Sequence, residues 1–371
     1  MDDRRLTIDR MILEKHDMDS RATVRIGNRL VGDGQPVFVM AEAGANHNGE
    51  LELAKKLVVA ARDAGADCIK FQTFTAEEFC ADRSKTFTYR SQGKLVTESE
   101  FEMFKRLEFA RDEWFELMSF CAAQGIMFLT TVQDPVNLKM MLELGLSAIK
   151  IGSDDFDHLV NMRRYAETGL PLIISKGMAD LAEVDYVLSE IAPLATGGLA
   201  VLHCVSLYPA DAHHLNLRQI QTLRCKYPGV VWGFSDHSPS TVAPALAVSL
   251  GAAIIEKHFT LDHDLPGPDH WFSLDPRELT EMVANIRFAE QALGNGAVEL
   301  SDGELESRKI MRRRVLAGKD IPAGEVLNED NVVFKRADHG AYAGDWAGLR
   351  GKRLLTGKST LDPIHMSEVG A

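Results

Sequence analysis

The chain lacks any run of about 18 apolar residues, so no membrane-spanning helix is expected. Its first stretch, MDDRRLTIDRMILEKHD, is charged and has no apolar core of the kind a secretory signal needs. It also lacks a CxxC pair. The five cysteines (Cys68, Cys80, Cys121, Cys204, Cys225) are scattered and odd in number, which points to buried thiols in a reducing cytoplasm. Positive charge is in deficit, with 41 Lys and Arg against 54 Asp and Glu and a net charge of −13. That balance argues against nucleic acid or an anionic membrane as partner. If such a chain handles an anionic substrate, it must gather its lysines locally. What remains is 371 residues, 45% hydrophobic and 26% charged, enough for one large domain and a small one.

From Pro36 short apolar runs alternate with amphipathic segments eight times. The runs are Val37–Met40, Cys68–Phe71, Met127–Leu129, Ala148–Ile151, Leu172–Ile174, Leu199–Leu202, Val230–Phe234 and Ala252–Ile255. Eight strand–helix units predict an α/β fold, a (β/α)8 TIM barrel over residues 35–293. A doubly wound open sheet is the competing reading. Residues 1–34 form a polar extension, and the Gly-Asn turn within Val24–Val31 predicts a hairpin. The interruption Thr73–Phe109 follows the second strand and is expected to cover the active face as a lid.

Residues 294–312 read as a linker leading into a basic cluster (Arg308, Lys309, Arg312, Arg313, Arg314) expected to be solvated. Residues 313–371 change to short β-like pieces rich in glycine. Gly318-Lys319 and Gly324 recur 33 residues later as Gly351-Lys352 and Gly357, which suggests internal pseudo-symmetry. About 60 residues cannot bury much core, so this small domain is expected to lean on the barrel or on another subunit.

The chemistry gathers where the runs stop, as a barrel requires. Ser235, Asp236 and His237 follow the seventh run; Glu256, Lys257 and His258 follow the eighth. Two imidazoles at the same end of neighbouring parallel strands can share a divalent cation, with substrate and water completing the shell. The alternative is a pair of hydrogen-bonded core histidines. Lys70, Lys150 and Lys176 sit at strand ends among hydroxyls, and buried ammonium groups need anionic partners. A phosphate-bearing carboxylate suits them. His203 reads as a core histidine, His213 and His214 as loop residues. Cys204 reads as a buried thiol with no base placed to activate it.

The motifs AEAGANHNG (41–49), CIKFQTF (68–74), KIGS (150–153), HCVSLYP (203–209), FSDHS (234–238), EKHFT (256–260) and PGPDH (266–270) resemble those of the bacterial sialic acid synthase family. The tail VLAGKDIPAGEVLNEDNVVFKR resembles that family's C-terminal antifreeze-like (SAF, β-clip) domain. The resemblance implies a cytoplasmic transferase, similar to N-acetylneuraminate synthase. Phosphoenolpyruvate C3 attacks the aldehyde of an open-chain N-acyl hexosamine of the N-acetylmannosamine type. Water adds at C2, phosphate leaves by C–O cleavage, and a nine-carbon 2-keto-3-deoxy acid results. A diacetamido-trideoxyhexose, as in legionaminate- and pseudaminate-type synthases, is the alternative acceptor.

The resemblance also implies roles. His237 and His258 hold Mn2+ or Mg2+ and, with Glu42 and Lys70, form the catalytic set. Lys70, Thr131, Lys150, Ser153, Ser175, Ser206 and Ser235 bind phosphoenolpyruvate. Gln72, Asp155, Tyr208 and Asp269 face the sugar. Arg336 reaches the acyl group from the partner's antifreeze-like domain, which implies a domain-swapped homodimer. The chain departs from the family pattern at Val132-Gln133, Asp154, Lys176, Ser206 and Ala337. Asp154 and Lys176, opposite in sign and on successive strands, are expected to pair, and the reshaped mouth is expected to prefer an acceptor other than plain N-acetylmannosamine. A metal-free Schiff-base aldolase using Lys70 or Lys150 is a rival. So is a synthase of the deoxy-octulosonate or deoxy-heptulosonate type, and so is a non-catalytic carbohydrate- or ice-binding module.

Overall fold

A computed structural model describes residues 22–370. The chain divides into two compact units, with the boundary after Gly294. In the first, eight parallel strands close a barrel: β3 (Phe38–Gly44), β4 (Cys68–Thr73), β7 (Met127–Val132), β8 (Ile149–Ile151), β9 (Leu172–Ser175), β10 (Leu199–Cys204), β11 (Val231–Asp236) and β12 (Ile254–His258), the last pairing with β3. The open-sheet alternative is thereby excluded. The strands arise from apolar runs buried on both faces, as the wall of a barrel must be.

The strands run past the apolar runs that announce them. β12 continues through Glu256 and Lys257 to His258, and β11 through Ser235 to Asp236. Hydrogen-bond pairing persists there although the side chains turn polar, because alternate residues face a polar barrel mouth. Three of the barrel helices, Pro135–Leu144, Leu181–Ile191 and Pro276–Leu293, begin on side-chain caps. Asp134 accepts from the backbone N–H groups of Val136 and Asn137, and Asp180 and Asp275 cap in the same way, the latter with Pro276 in the first turn. The helix between β11 and β12 is short, Ala243–Ser249.

The predicted hairpin is present as β1 (Thr23–Ile26) and β2 (Arg29–Gly32), while the first 21 residues of the expected extension lie outside the described residues. It plugs the N-terminal end of the barrel with Val24, Ile26 and Val31 buried. Asp67, just before β4, ties this end together. It accepts from Arg29 of the hairpin at 2.6 Å, from Val39 N of β3 at 2.9 Å and from Arg287 of the final helix, Pro276–Leu293, at 3.1 Å.

The Thr73–Phe109 interruption is an ordered lid. It holds a short helix (Ala76–Phe79), a hairpin of β5 (Thr86–Ser91) and β6 (Lys94–Ser99), and a helix (Glu100–Leu107). It has its own small core of Ala45, Phe74, Met103 and Leu107. The hairpin is fastened to the loop after β12: Gly267 N donates to Ser91 Oγ at 3.1 Å, and Arg90 lies 5.2 Å over the Trp271 ring.

In the second unit, the stretch expected to be a plain linker contains a helix, Asp302–Met311, begun by a Ser301/Glu304 capping box. The basic cluster is not uniformly solvated. Arg314 is buried, its guanidinium 3.6 Å over the Tyr342 ring. β13 (Arg313–Ala317) pairs antiparallel with β14 (Val332–Arg336), and β15 (Arg353–Leu354) with β16 (Val369–Gly370), around a core that includes Val315, Ile321, Leu327, Leu354 and Ile364. The 33-residue recurrence survives as exchanged partners. Ile321 pairs with Lys358, and 33 residues on Leu354 pairs with Glu325.

Replacing Asp67 by Ala leaves Val39 N–H without its acceptor and takes a carboxylate from Arg29 and from Arg287, the latter keeping Glu290 and Val37 O. The barrel is expected to lose about 2 kcal/mol, since charge-assisted hydrogen bonds contribute on that order, and half-exposed arginines contribute less. A lowered thermal transition with the fold intact by circular dichroism would bear this out; an unchanged transition would refute it.

Candidate active site

At the C-terminal ends of the strands lies a cavity of about 460 Å³. Lys70 enters it from β4, and Gln72 two residues on shares its face. Thr131 comes from β7, Lys150 from β8, and Ser153 from the turn that follows β8. Ser175, Ser206, Ser235, Glu42, Tyr208, His237 and His258 complete the polar wall, and Phe74, Phe79, Phe87 and Phe104 of the lid roof it. Twelve of the residues singled out from the sequence thus meet in one chamber.

Its electrostatics are set by two lysines and two glutamates, all buried. Lys70 Nζ lies 2.7 Å from Glu42 Oε2, 2.8 Å from Thr131 Oγ1 and 3.9 Å from Glu256 Oε2. Lys150 Nζ donates to Ser175 Oγ at 2.7 Å and lies 3.7 Å from Glu256 Oε2. Burial disfavours the Lys70 charge, but Glu256 and Glu42 outweigh it and hold its pKa above the usual value. Lys150, similarly buried and with one carboxylate near, is lowered. Burial alone would raise the Glu256 carboxyl, yet Lys150 and Lys70 hold it below the usual range. Glu42 is pushed up to about 7 by burial, against the pull of Lys70. A carboxyl so poised can give or take a proton near neutrality.

The two histidines meet on the far wall, ring centroids 5.2 Å apart. His237 Nδ1 lies 2.8 Å from Val205 O, an arrangement that places the proton on Nδ1 and leaves Nε2 as a lone pair. His258 Nδ1 is buried without a hydrogen-bond partner, and Asp269 Oδ2 stands 3.9 Å from it. Burial, then the neighbouring His237, holds the His258 pKa well below its usual value, so this imidazole is neutral. Burial opposes the charge on His237, but Cys204 and the Val205 carbonyl outweigh it and hold its pKa above the usual value, so a cation bound there would displace a proton. His237 Nε2, the neutral His258 and a nearby carboxylate, Asp269, whose pKa burial raises to about 6, form a donor set that fits an open divalent site.

Other expected positions fall differently. Asp155 turns away from the chamber to His158 at 3.3 Å; its neighbour Asp154 lines the cavity instead, because the 3-10 turn Ser153–Asp155 swings successive side chains apart. The expected Asp154–Lys176 pair does not form: Lys176 donates to Gln219 at 2.8 Å and is absent from the cavity wall. Asp269 lines an adjoining chamber of about 590 Å³ under the lid hairpin, which shares Gln72, Tyr208 and His258 with the first. Arg336 stands exposed at the end of β14, in the second unit. His203 is a core histidine, 2.7 Å from Leu215 O and stacked on Phe234. His213 and His214 are exposed on a short 3-10 turn. Cys204 is a buried thiol; its Sγ is 3.9 Å from His237 Nδ1, a nitrogen whose proton goes to Val205 O and which is therefore no base for it.

Two features escaped the sequence reading. Glu256 stands between both lysines, and only its place in the β12 alternation, two residues before His258, hinted at this. Gly177 lets two serines converge: a Cβ there would fall 2.3 Å from Ser206 Oγ and 2.6 Å from Ser153 Oγ. Its N–H donates to Ser153 Oγ at 3.0 Å.

A closed (β/α)8 barrel with buried ionisable groups gathered at the C-terminal strand ends places the protein among barrel enzymes. Comparison with known proteins narrows the class. Residues 57–298 match the NeuB family and residues 312–369 the SAF domain. The N,N'-diacetyllegionaminic acid synthase of Legionella pneumophila is 37% identical over 87% of this chain and 92% of its own. The N-acetylneuraminate-9-phosphate synthase of Homo sapiens is 33% identical over 88% of this chain and 91% of its own. The crystal structure of an N-acetylneuraminic acid (sialic acid) synthetase from Leptospira borgpetersenii, 34% identical, superposes with a TM-score of 0.70 over 79% of this chain and 99% of that one. The chain belongs to the NeuB family, the sialic acid synthase-like nonulosonic acid synthases, with a C-terminal SAF domain. No helix among the described residues is long and apolar enough to cross a membrane.

Glu256→Gln is expected to leave two buried ammonium groups short of a carboxylate and to cost about 3 kcal/mol of stability. Added phosphoenolpyruvate should then raise the thermal transition of the variant more than that of the wild type, since the anion replaces the missing charge. An equal or smaller shift would show that the lysines do not receive the anion.

Proposed function

We propose that the protein condenses phosphoenolpyruvate with the open-chain aldehyde of an N-acyl hexosamine, giving a nonulosonic acid and phosphate. The observation that carries this is the set of buried polar atoms without hydrogen-bond partners around one chamber: Ser206 Oγ, Glu256 Oε2 and His258 Nδ1 beside two buried lysines. Buried polar groups left unpaired are costly, and a ligand that satisfies them explains their presence. Lys70 and Lys150 give an anion two positive charges, and Ser153, Ser175, Ser206, Ser235 and Thr131 give hydroxyl donors at its edges. The adjoining chamber, walled by Trp271, Phe272 and Tyr208 and bearing Asp269, suits the sugar. Gln72, Tyr208 and His258 line both, so the reacting carbons would meet at that junction.

A divalent cation, Mn2+ or Mg2+, held by His237 and His258 would polarise the aldehyde and acidify water. The rest falls to the chain's own groups. Phosphoenolpyruvate C3 forms the new bond to the aldehyde carbon, water adds at C2, and the C–O bond to phosphate breaks. Glu42 Oε1 accepts from Gln72 Nε2 at 3.0 Å and is thereby oriented to carry a proton at the junction. Lys70, kept charged between Glu42 and Glu256, is a poor amine nucleophile, which favours this condensation over a Schiff-base aldolase. The acceptor we favour is N-acetylmannosamine-like, with a diacetamido-trideoxyhexose as the second reading, since a sialic acid synthetase and a diacetyllegionaminic acid synthase both stand among the similar proteins.

Phosphate release from phosphoenolpyruvate across a panel of N-acyl hexoses tests the reaction. His237→Ala and His258→Ala should each abolish turnover with the fold intact, and chelation should stop the wild type until Mn2+ or Mg2+ is restored. Full activity in a metal-free preparation would overturn the metal assignment.

Arg336 is proposed to hold the acyl group of the acceptor in the partner's barrel, in a domain-swapped homodimer. Its exposed place at a strand end supports this. Arg336→Ala should raise the acceptor KM at least tenfold, by about 1.4 kcal/mol or more, and leave that of phosphoenolpyruvate nearly unchanged. Verified heterodimers of Arg336→Ala and Lys70→Ala subunits should regain activity, because each holds one intact site. No recovery would refute action in trans.

A further inference from the structure

The two histidines of the proposed divalent site stand on unequal supports. His258 lies within β12, its backbone paired with Glu42 of β3. His237 lies one residue beyond β11, whose pairing with β12 ends at Asp236 opposite Lys257. The strand ladder therefore fixes one imidazole and stops short of the other. Val205 O and Ala210 N hold His237 from the β10 side, the latter donating to His237 O at 3.0 Å. Neither contact ties it to the strand that carries His258.

Asp236 and Lys257 make that tie. Alternation turns both outward from the barrel, because their neighbours Ser235, Glu256 and His258 line the chamber. Each is buried, at 1% exposure, and neither lines either chamber. Lys257 Nζ donates to Asp236 Oδ2 at 2.6 Å, to Ser238 O, and to Ser240 O at 3.2 Å. Asp236 Oδ1 accepts from Ser238 N at 2.8 Å. The loop that leaves His237 is thus gripped by the residue next to His258. A buried ion pair is a poor source of stability, since desolvation offsets most of its attraction and apolar residues of like size often serve as well. Apolar side chains, however, could not hold two carbonyls and an N–H of one loop.

Resting on the divalent site proposed above, we infer that Asp236 and Lys257 are a positioning pair. They fix the spacing of His237 to His258 and so set the affinity of the protein for its cation. Neither touches the cation or the substrates.

The test titrates Mn2+ into the metal-free full-length protein and follows free Mn2+ by electron paramagnetic resonance. Wild type, Lys257→Met and the double variant Asp236→Asn/Lys257→Met are compared. The thermal transition, and phosphoenolpyruvate affinity without metal, are measured alongside. Lys257→Met leaves the Asp236 charge buried alone and should lower the thermal transition; the double variant removes that charge and should recover most of the loss. The Mn2+ Kd should rise at least about tenfold in both, the scale on which losing an outer support weakens a metal site, because in neither is the loop held by Lys257. Phosphoenolpyruvate affinity should hold near the wild-type value, since Ser235 and Glu256 lie within the paired strands. If Mn2+ affinity returned with stability in the double variant, the pair would be merely structural, and the inference would fall while the divalent site stood. An equal loss of phosphoenolpyruvate affinity would mark general loosening and overturn it too. A wild type that binds no Mn2+ would overturn the site and the inference together. Should Lys257→Met fail to fold, the double variant, which buries no unpaired charge, decides alone.

Discussion

The structure turns on a cluster of four buried charges, Lys70, Lys150, Glu42 and Glu256. None could stand there alone, since an unpaired ion inside a protein costs several kcal/mol. Together they nearly balance, and Glu256, within 4 Å of both lysines, is the element that makes the balance possible. The hydroxyls of Thr131, Ser175 and Ser235 complete it, each bonded to a member of the cluster at 2.7–2.8 Å. The same balance makes the chamber receptive. An incoming dianion competes with Glu256 for the ammonium groups and weakens their hold on Glu42, whose carboxyl is then freer to take a proton.

The histidine wall depends on a quieter contact. Val205 O fixes the His237 tautomer, and Val205 lies one residue beyond β10, so the barrel wall itself orients the imidazole. Tyr208, 4.2 Å from that ring between centroids, covers it from the mouth side. Positions set by strand register are rigid on the scale a reaction demands.

Much of this was legible in the sequence, for a physical reason. Strand-end residues in a parallel barrel alternate strictly, so Lys70 and Gln72, or Glu256 and His258, announce their common face by spacing alone. Their burial followed from the apolar runs they terminate. What failed was of another kind. Asp154 and Asp155 sit in a 3-10 turn, where no period of two assigns faces, so spacing alone could not say which of them lines the cavity. Lys176 lies one residue past β9 and found Gln219 of a neighbouring helix, a partner far off in sequence. The helix at Asp302–Met311 was masked by charge composition, although its Ser301-to-Glu304 capping box could have revealed it. Glu256 was passed over because its partners come from three different strands, and only the closed barrel brings them to one point.

The barrel closes where β12 pairs with β3, and that seam sets His258 directly beside Glu42. The two residues are separated by most of the first unit, so on the ribosome β3 emerges and waits, its edge unpaired, for about 200 residues of synthesis before β12 arrives. An exposed apolar strand edge is a template for association with other chains. The nascent barrel is therefore open to aggregation through most of its synthesis, and the stitch that ends this exposure is the one that assembles the catalytic wall. Truncated chains that stop short of His258 would be not merely inactive but sticky, a natural target for chaperones that bind extended apolar segments.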